Sequence, residues 1–405
     1  MIAPNVPRVL RPRRAAPADA VRPTRAEVNL EALRHNLRVV RKHSCGARVW
    51  AVLKADAYGH GAPAVARTLE RAQVDGFCVA LLEEAVELRE AGIGAPILVM
   101  GGHYGTAHDE IIARGILPVV HDAGQVDAFA RLVRSGVASG PIDVHLKVDT
   151  GMARLGVTMG ELPSLAHALA ARPEVRVRGL MTHLACADAP SDEETREQMA
   201  LFDEATAFLA RRGICPDVRH AANSAALLRG QAQLDAVRPG LALFGVSPRV
   251  GGAPLTAELR PVMRVRSEIV AVREIDQGAP VGYGATWRAP RRSRVATLPM
   301  GYADGLSRHL GSSNAAEAPR AGGHVLVRGQ RAPIVGAVSM DMTMIDVTDI
   351  DGANLRDEAV VLGSQEGRQG SVSIGADEIA AQAGTIAWEV LTSVSRRVPR
   401  FYREP

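Results

Sequence analysis

Long apolar runs, paired cysteines and aromatic residues are all scarce in this 405-residue chain. A membrane-spanning helix needs about 20 consecutive apolar residues, and the sequence contains no such run. The four cysteines have neither CxxC nor metal-ligand spacing, so we expect reduced thiols and no bound metal. Aromatic residues make up only 3% of the chain, and no aromatic–basic face typical of nucleic-acid binding is recognisable. The cysteines are Cys45, Cys78, Cys186 and Cys215.

Lysine is also scarce: of 48 basic residues only three are lysine, namely Lys42, Lys54 and Lys147. Arginine stays protonated near neutral pH and forms no imine, whereas a lysine amine can lose its proton and form one. Each lysine in this arginine-rich background is therefore a candidate for amine chemistry. Lys42 lies on a polar helical surface, and we interpret it as an ordinary surface residue.

The positive charge is concentrated at the start of the sequence. Residues 1–25 contain six arginines, five prolines and a single acid, Asp19, which gives this segment a net charge of +5 against +4 for the whole chain. The remainder is close to neutral, so the basic pI does not indicate a nucleic-acid-binding body. We predict a flexible basic tail over residues 1–24. Because this tail lacks the apolar segment of a secretion signal, we expect a cytoplasmic protein.

Eight short apolar runs rich in β-branched residues recur between residues 48 and 238, most of them separated by helical patterns such as Ala62–Ala72 and Thr195–Gly213. This alternation is typical of α/β folds. It predicts a (β/α)8 barrel over residues 25–258, with the active site at the carboxyl ends of the strands. An open parallel sheet is the alternative. The predicted strands are Arg48–Leu53, Phe77–Ala80, Pro96–Met100, Leu117–Val120, Ile142–Val148, Arg178–Thr182, Val218–Ala222 and Asp235–Arg238.

From residue 259 the pattern changes to short strands separated by turns that contain glycine and proline, with little helical periodicity before Ile374–Ala383. We therefore predict a second, mostly β domain over residues 259–405. Its predicted strands are Val262–Val272, Arg294–Pro299, His324–Val327, Ala332–Met344 and Val360–Leu362.

Lys54 ends the first predicted barrel strand in the string Ala51-Val-Leu-Lys-Ala-Asp-Ala-Tyr-Gly-His60. The apolar run before it predicts a buried strand that directs Lys54 into the barrel mouth. This string resembles the cofactor-lysine motif of the alanine racemases, which are fold-type-III pyridoxal-phosphate enzymes, and further matches follow in order from Glu27 to Tyr402. The resemblance implies a pyridoxal 5'-phosphate-dependent isomerase that interconverts L- and D-alanine by a two-base mechanism, with Lys54 holding the cofactor as a Schiff base.

Other matches to the family fall at or just after predicted strand ends, where a barrel active site forms. The resemblance implies that the cofactor phosphate is held by Tyr58 and Ser224 and by the backbone at Gly240 and Leu241, and that Asn223 is also a cofactor-binding residue. This is chemically sensible, because hydroxyls and main-chain N–H groups at a loop form an anion cradle.

Racemisation needs one base to remove a proton and a second to return one on the opposite face. The resemblance implies that Lys54 is one base and that Tyr283, in Val281-Gly-Tyr-Gly-Ala-Thr-Trp287, is the other. It also implies that Arg238 faces the pyridine nitrogen, to which a guanidinium can only donate. His183 and Arg238 would continue a hydrogen-bond chain from Tyr283. In the family this tyrosine comes from the other subunit, which implies a homodimer with shared sites.

Lys147 and Arg154 lie in a second long match, from His145 to Gly156. In the family the corresponding lysine is often carbamylated and positions the arginine, which binds the substrate carboxylate. A buried ion pair between Lys147 and an acid is the alternative interpretation. In the β domain, the resemblance implies that Met340 contacts substrate and that Asp341 supports the site.

Three residues depart from the family pattern. Trp388 stands where a phosphate-contacting tyrosine is common, Phe244 where tyrosine is usual, and Ala337 where arginine is usual. Because an indole offers one N–H donor and no hydroxyl, a serine or broad-specificity amino-acid racemase is the alternative to an alanine racemase. A pyridoxal-phosphate carrier without turnover would have no use for Tyr283. A nucleic-acid-binding protein that uses the basic tail is a third interpretation. We expect a small amino acid as the ligand, with neither nucleic acid nor membrane as a partner.

Overall fold

The computed structural model describes residues 21–102, 107–256, 258–368 and 370–404, and it divides the chain into two compact units. The barrel unit contains Val28–Met263, Gly375–Val394 and the end of the chain from Tyr402. The β unit contains the segment up to Glu27, together with Arg264–Ile374 and Ser395–Phe401. Residues 1–20, most of the predicted tail, lie outside the described residues.

The barrel unit is built on eight parallel strands in chain order. They are β2 (Arg48–Val52), β3 (Gly76–Val79), β4 (Ile97–Val99), β5 (Leu117–Val120), β6 (Ile142–Lys147), β7 (Val175–Met181), β8 (Val218–His220) and β9 (Ala236–Val237). The sheet closes where Arg48 and Val49 of β2 pair with Ala236 and Val237 of β9. The predicted (β/α)8 barrel is therefore confirmed, and the open sheet is wrong. A short hairpin, β10 (Arg249–Val250) with β11 (Ala253–Pro254), follows the barrel.

Most of the helices connect the barrel strands, and the longer ones bury one face. The first, α1 (Leu30–His43), begins at Asn29, whose side-chain oxygen accepts a hydrogen bond from the Ala32 N–H, and it buries Leu33 and Leu37. None of the helices in the described ranges is long and apolar enough to cross a bilayer. The others are α2 (Lys54–Tyr58), α3 (Ala62–Arg71), α4 (Leu82–Glu90), α5 (His108–Ala113), α6 (Ala123–Arg134), α7 (Leu162–Ala170), α8 (Glu193–Ala210), α9 (Ser224–Leu228), α10 (Ala376–Ala383) and α11 (Ala387–Ser393).

The second unit is mostly β, as predicted. Its strands are β1 (Arg25–Asn29), β12 (Met263–Glu268), β13 (Ala271–Ile275), β14 (Pro280–Val281), β15 (Trp287–Arg288), β16 (Ser293–Leu298), β17 (His324–Val327), β18 (Gln330–Pro333), β19 (Thr343–Asp346), β20 (Glu358–Gly367), β21 (Gly370–Ile374) and β22 (Arg400–Arg403). The larger sheet has the order β18-β17-β20-β12-β1-β22, with β21 paired to β20, and a smaller one has the order β13-β16-β19.

Two strands predicted in this unit are wrong in extent. The run Val262–Val272 is divided between β12, which pairs with β20, and β13, which pairs with β16, because the chain changes sheets between them. The run Ala332–Met344 is interrupted after β18, since the chain turns at Gly336 and again at Ser339, whose N–H donates to the Met342 carbonyl oxygen at 3.0 Å. Alternation of apolar residues alone did not reveal these breaks.

The two units are not separated by the predicted single boundary at residue 259, because each contains segments from both sides of it. Helices α10 and α11 group with the barrel unit, whereas the start of β1 groups with the β unit. There the buried Glu27 accepts hydrogen bonds from Arg264 (3.1 Å) and Arg266 (2.7 Å). Arg22, inside the predicted tail, donates two hydrogen bonds to the Asp304 carboxylate at 2.9 and 2.7 Å. These pairs attach the segment before the first helix to the β unit.

Candidate functional site

Lys54 follows β2 at the carboxyl end of the barrel and begins α2, which is left-handed. The four residues after it, Ala55 to Tyr58, all have φ of 54°, and such a conformation costs L-residues about 1–2 kcal/mol each. Strain of this kind persists only where the surroundings impose it, and it concentrates at functional sites. Burial, followed by the nearby charge of Arg154, lowers the pKa of Lys54. A larger fraction of its amine is therefore uncharged near neutral pH.

Glu84, on α4, holds this turn in place. One carboxylate oxygen accepts from the Ala55 N–H at 2.6 Å, and the other accepts from the N–H groups of Ala80 (2.8 Å) and Leu81 (3.1 Å) at the end of β3. Glu84 thus joins the ends of two neighbouring strands. Sequence reasoning missed it, because an acid in the first turn of a helix is ordinarily a capping residue.

A cluster of hydroxyl and main-chain N–H groups lies within the same unit. Ser224 Oγ accepts hydrogen bonds from the N–H groups of Gly240 (3.0 Å) and Ala242 (3.2 Å), on either side of Leu241. The Tyr58 hydroxyl approaches Gly240 so closely that a Cβ there would overlap it. Burial raises the pKa of Tyr58, so its hydroxyl stays protonated. Because Ser224 Oγ accepts from the Gly240 and Ala242 N–H groups, its own proton is still free to donate. The Ser224 and Tyr58 hydroxyls are thus two neutral donors that suit a phosphate.

Asn223, predicted to bind the cofactor, serves as the cap of α9. Its side-chain oxygen accepts from the N–H groups of Ala225 and Ala226, both at 3.0 Å. Phe244 replaces the usual tyrosine with a ring packed 5.0 Å from that of Tyr58. Asn223 therefore positions Ser224 through the backbone, and Phe244 supports Tyr58 through apolar contact.

Arg238 is buried just after β9 and donates to several acceptors. Its guanidinium contacts His220 Nδ1 at 2.6 Å and His183 Nδ1 at 3.5 Å, and it donates to the carbonyl oxygens of Thr182 (2.7 Å) and Ala221 (3.1 Å). Burial lowers its pKa to about 10, which still leaves it protonated near neutral pH. The predicted contact between His183 and Arg238 is thus present at the outer limit of a hydrogen bond.

Sequence reasoning missed a pair of histidines behind Arg238. His220 Nε2 lies 2.8 Å from His145 Nδ1. Because arginine only donates, His220 accepts from it at Nδ1, carries its proton on Nε2 and donates that proton to His145. Burial is the main cause that lowers the pKa of His145 to about 3 and that of His183 to about 3. His145 and His183 are therefore neutral, and Arg238 carries the positive charge of this buried cluster.

Lys147, at the end of β6, is only 6% exposed. Burial, followed by the charges of Arg154 and Arg238, lowers its pKa to about 8. Within the described part of the chain it forms no ion pair with an acid, so the alternative interpretation of Lys147 finds no support there. Asp149 instead accepts from the N–H groups of Gly151 (3.0 Å) and Met152 (2.8 Å). It thereby shapes the loop that leads to Arg154.

Trp388 lies half-buried on α11, in the barrel unit. On the same helix, the Leu391 carbonyl oxygen approaches Gly59 so closely that a Cβ at Gly59 would overlap it. The helix that carries Trp388 therefore packs against the end of the turn that begins with Lys54.

Tyr283, Met340 and Asp341 belong to the β unit. Tyr283 stands in a short turn between two glycines and is 73% exposed, whereas Val281 and Trp287 on either side are buried in one apolar cluster. Asp341 accepts from Arg397 at 2.6 Å, and Met340 is exposed. Neither Tyr283 nor Met340 lies in the unit that contains Lys54, so the predicted residues fall into two groups.

The chain is similar to known alanine racemases along nearly its whole length. The model of the alanine racemase N-terminal domain matches residues 28–248, and that of the C-terminal domain matches residues 262–402. An alanine racemase of Sorangium cellulosum is 62% identical over 392 residues, which cover 95% of this chain and 100% of that protein.

Solved structures agree with this similarity. The alanine racemase from Bacillus anthracis with bound L-Ala-P is 32% identical, with a TM-score of 0.85 and 95% of each chain covered. The alanine racemase from Bartonella henselae with covalently bound pyridoxal phosphate is 29% identical, with a TM-score of 0.81, covering 94% of this chain and 99% of that one.

Proposed function

The chain belongs to the alanine racemase family and interconverts the two enantiomers of alanine, and from this premise we propose that it does so with pyridoxal 5'-phosphate bound at Lys54. When bound, this cofactor supplies an aldehyde that reacts with an amine and a conjugated ring that withdraws electrons from the substrate Cα. The observation that carries the proposal is the position of Lys54 at the end of β2, in the same unit as the Ser224 and Tyr58 hydroxyls that meet at Gly240, together with its lowered pKa.

Tyr58, Ser224 and the backbone at Gly240 and Leu241 would hold the phosphate. They offer uncharged donors, and the buried Tyr58 hydroxyl keeps its proton. Arg238 would face the ring nitrogen. Because it can only donate, it leaves that nitrogen without a proton and limits how strongly the ring withdraws electrons, which favours simple return of a proton to Cα.

Lys54 and Tyr283 would be the two bases, one on each face of the substrate Cα. The lowered pKa of Lys54 allows its amine to accept a proton near neutral pH. Tyrosine ordinarily loses its proton only near pH 10, so Tyr283 needs a hydrogen-bonding partner. We assign that role to His183, which stays neutral and contacts Arg238.

We further propose a homodimer in which Tyr283 enters the site of the partner subunit. In the single chain Tyr283 is 73% exposed, and Tyr302, Met340 and Met342 are each exposed by 41–52%. The last three lie on adjacent segments, since the Tyr302 N–H donates to the Ser339 carbonyl oxygen at 3.0 Å. Adjacent exposed apolar side chains of this kind mark an interaction surface.

Lys147 is proposed to carry a carbamate. An ammonium group is unfavourable there, because it is buried beside Arg154 and Arg238. With a pKa of about 8, a useful fraction of the amine is neutral and can attack carbon dioxide, which forms the N–C bond and releases one proton. The resulting anion would reverse the sign of the charge and attract Arg154, whose guanidinium would then be oriented to bind the substrate carboxylate.

Borohydride reduction tests the central assignment. We expect the purified protein to be yellow and to lose its visible cofactor band on reduction, with the label recovered by peptide mapping on Lys54. Lys42 and Lys147 serve as internal controls, since both amines are present in the same protein. A label on either of them, or a colourless protein that takes up no cofactor, would show that the assignment is wrong.

Trp388 is the residue expected to alter substrate preference. Trp388→Tyr should tighten cofactor binding by about 2- to 10-fold, which corresponds to one neutral hydrogen bond of ~0.5–1.5 kcal/mol. It should also shift the ratio of kcat/KM for alanine to that for serine, because the smaller ring changes the pocket wall. Both quantities are measured by cofactor titration and by assays of the two amino acids.

Trp388→Phe is the matched control for this experiment. It also reduces the ring but has no hydroxyl, so it should shift the alanine-to-serine ratio without tightening cofactor binding. If Trp388→Tyr changes neither quantity, Trp388 is a packing residue and the serine-racemase alternative loses its basis.

A further inference from the structure

We propose that Gln198, a buried glutamine on α8, is a positioning residue that fixes His183 and the loop carrying Arg154. The inference rests on the roles proposed above for His183 and Arg154. Gln198 lies on the helix that follows β7, whereas His183 and Arg154 lie in the loops after β7 and β6. Sequence reasoning did not single it out.

The Gln198 amide has partners on two loops. Its Nε2 donates to the His183 carbonyl oxygen at 3.0 Å and to Thr150 Oγ1 at 3.3 Å. Its Oε1 accepts from the Ala185 N–H at 2.8 Å. Only 4% of Gln198 is exposed, so both amide protons and the oxygen are used inside the protein. A buried side-chain amide is costly unless it is satisfied in this way.

Thr150 extends the connection to Arg238. Its hydroxyl lies 2.7 Å from the hydroxyl of Thr182, and Arg238 donates to the Thr182 carbonyl oxygen at 2.7 Å. Both threonines are buried. Gln198 is therefore linked to Arg238 through the hydroxyls of Thr150 and Thr182 and then the Thr182 carbonyl oxygen, which joins the loops after β6 and β7.

This network holds His183 from two sides. Gln198 fixes its backbone carbonyl, while Arg238 contacts its ring at 3.5 Å. Thr150 lies at the start of the loop that leads to Arg154. If the donors of Gln198 are lost, the His183 ring can shift relative to Arg238, and a displacement of about 1 Å at a catalytic constellation costs up to ~10²-fold in rate.

Gln198 lies on the buried face of the helix together with Phe202, Ala205 and Leu209. A replacement of similar size keeps the apolar contacts of those three residues, so we expect it to leave the fold in place. Gln198→Met keeps the length of the side chain and removes all three hydrogen bonds. Gln198→Glu keeps the acceptor for Ala185 but donates only when protonated. Gln382→Met, on the exposed face of α10, is the matched control.

We expect Gln198→Met to bind cofactor normally by visible absorbance and to lose about 10- to 100-fold in kcat/KM for alanine, while Gln382→Met keeps the wild-type value. For Gln198→Glu, the activity relative to wild type should fall as the pH rises, because the ionised carboxylate cannot donate to His183. If Gln198→Met does not fold, Gln198→Glu provides the decisive comparison through this pH dependence.

Primary deuterium isotope effects separate positioning from general damage. His183 supports only one of the two proposed bases, so loss of Gln198 should make proton transfer at that base more rate-limiting. The isotope effect should then rise for one α-deuterated enantiomer of alanine and fall for the other. Equal changes for both enantiomers, or none, would overturn the inference.

His183→Leu, measured in parallel, distinguishes two kinds of failure. If His183→Leu gives the opposed isotope effects and Gln198→Met does not, only the role of Gln198 is wrong. If neither variant gives them, the proposed role of His183 is wrong, and the inference about Gln198 falls with it.

Discussion

Lys54→Arg should abolish racemisation while the protein remains folded. Arginine preserves the positive charge, but its guanidinium forms no imine and does not give up its proton near neutral pH. We expect a loss of at least ~10³-fold in the conversion of L- to D-alanine, since general acid–base catalysis alone contributes about 10²–10⁴-fold. The visible cofactor band should also be absent. Formation of D-alanine by the purified variant is the measurement.

Lys42→Arg is the matched control, because it makes the same substitution at a surface lysine. Lys42 is exposed and pairs with Glu258 at 3.0 Å, an interaction that arginine can keep. This variant should retain wild-type activity and colour. A Lys54→Arg protein with activity similar to that of Lys42→Arg would remove Lys54 from the mechanism.

Mixing two inactive variants should restore activity. In a dimer of one Lys54→Ala chain and one Tyr283→Phe chain, one shared site contains both native residues and the other contains neither. After random exchange of equal amounts, half of the dimers are hybrids and each hybrid has one intact site of two. About a quarter of the wild-type activity should therefore return in the mixture, and about half in isolated hybrids. The experiment uses two affinity tags to isolate hybrids, followed by assay of alanine racemisation.

The control for this experiment is the exchange of differently tagged Lys54→Ala chains, which should give hybrids without activity. The exchange of differently tagged Tyr283→Phe chains should behave in the same way. Isolated mixed hybrids that remain inactive would show that Lys54 and Tyr283 do not act in a site shared between subunits. The proposed role of Tyr283 would then need to be fulfilled within one chain.

The barrel could be predicted from sequence because its strands are short apolar runs whose burial is evident locally. The same pattern indicated that Lys54, Lys147 and Arg238 stand at carboxyl ends of strands, and the structure agrees. The breaks within Val262–Val272 and Ala332–Met344 could not be predicted, because they depend on which sheet each half joins. Sheet membership is decided by partners distant in sequence.

The details of the site depended even more on distant contacts. His145 and His220 are 75 residues apart and meet only because strands of a closed barrel bring them together. Gln198 shares the helical spacing of the buried Phe202, Ala205 and Leu209, but its hydrogen-bond partners on two distant loops could not be predicted from that spacing. The roles of Tyr283, Met340 and Asp341 stay predictions, which the exchange experiment addresses first.

The left-handed turn after Lys54 also restricts how this gene can change. At Ala55, with φ of 54°, a β-branched side chain would crowd the backbone, whereas glycine and aspartate tolerate this conformation. A single nucleotide change converts an alanine codon to one for valine, threonine, proline, serine, glycine, or either aspartate or glutamate. The first two are β-branched and proline fixes φ at about −65°, so three of these replacements are incompatible with the turn even though the side chain faces solvent.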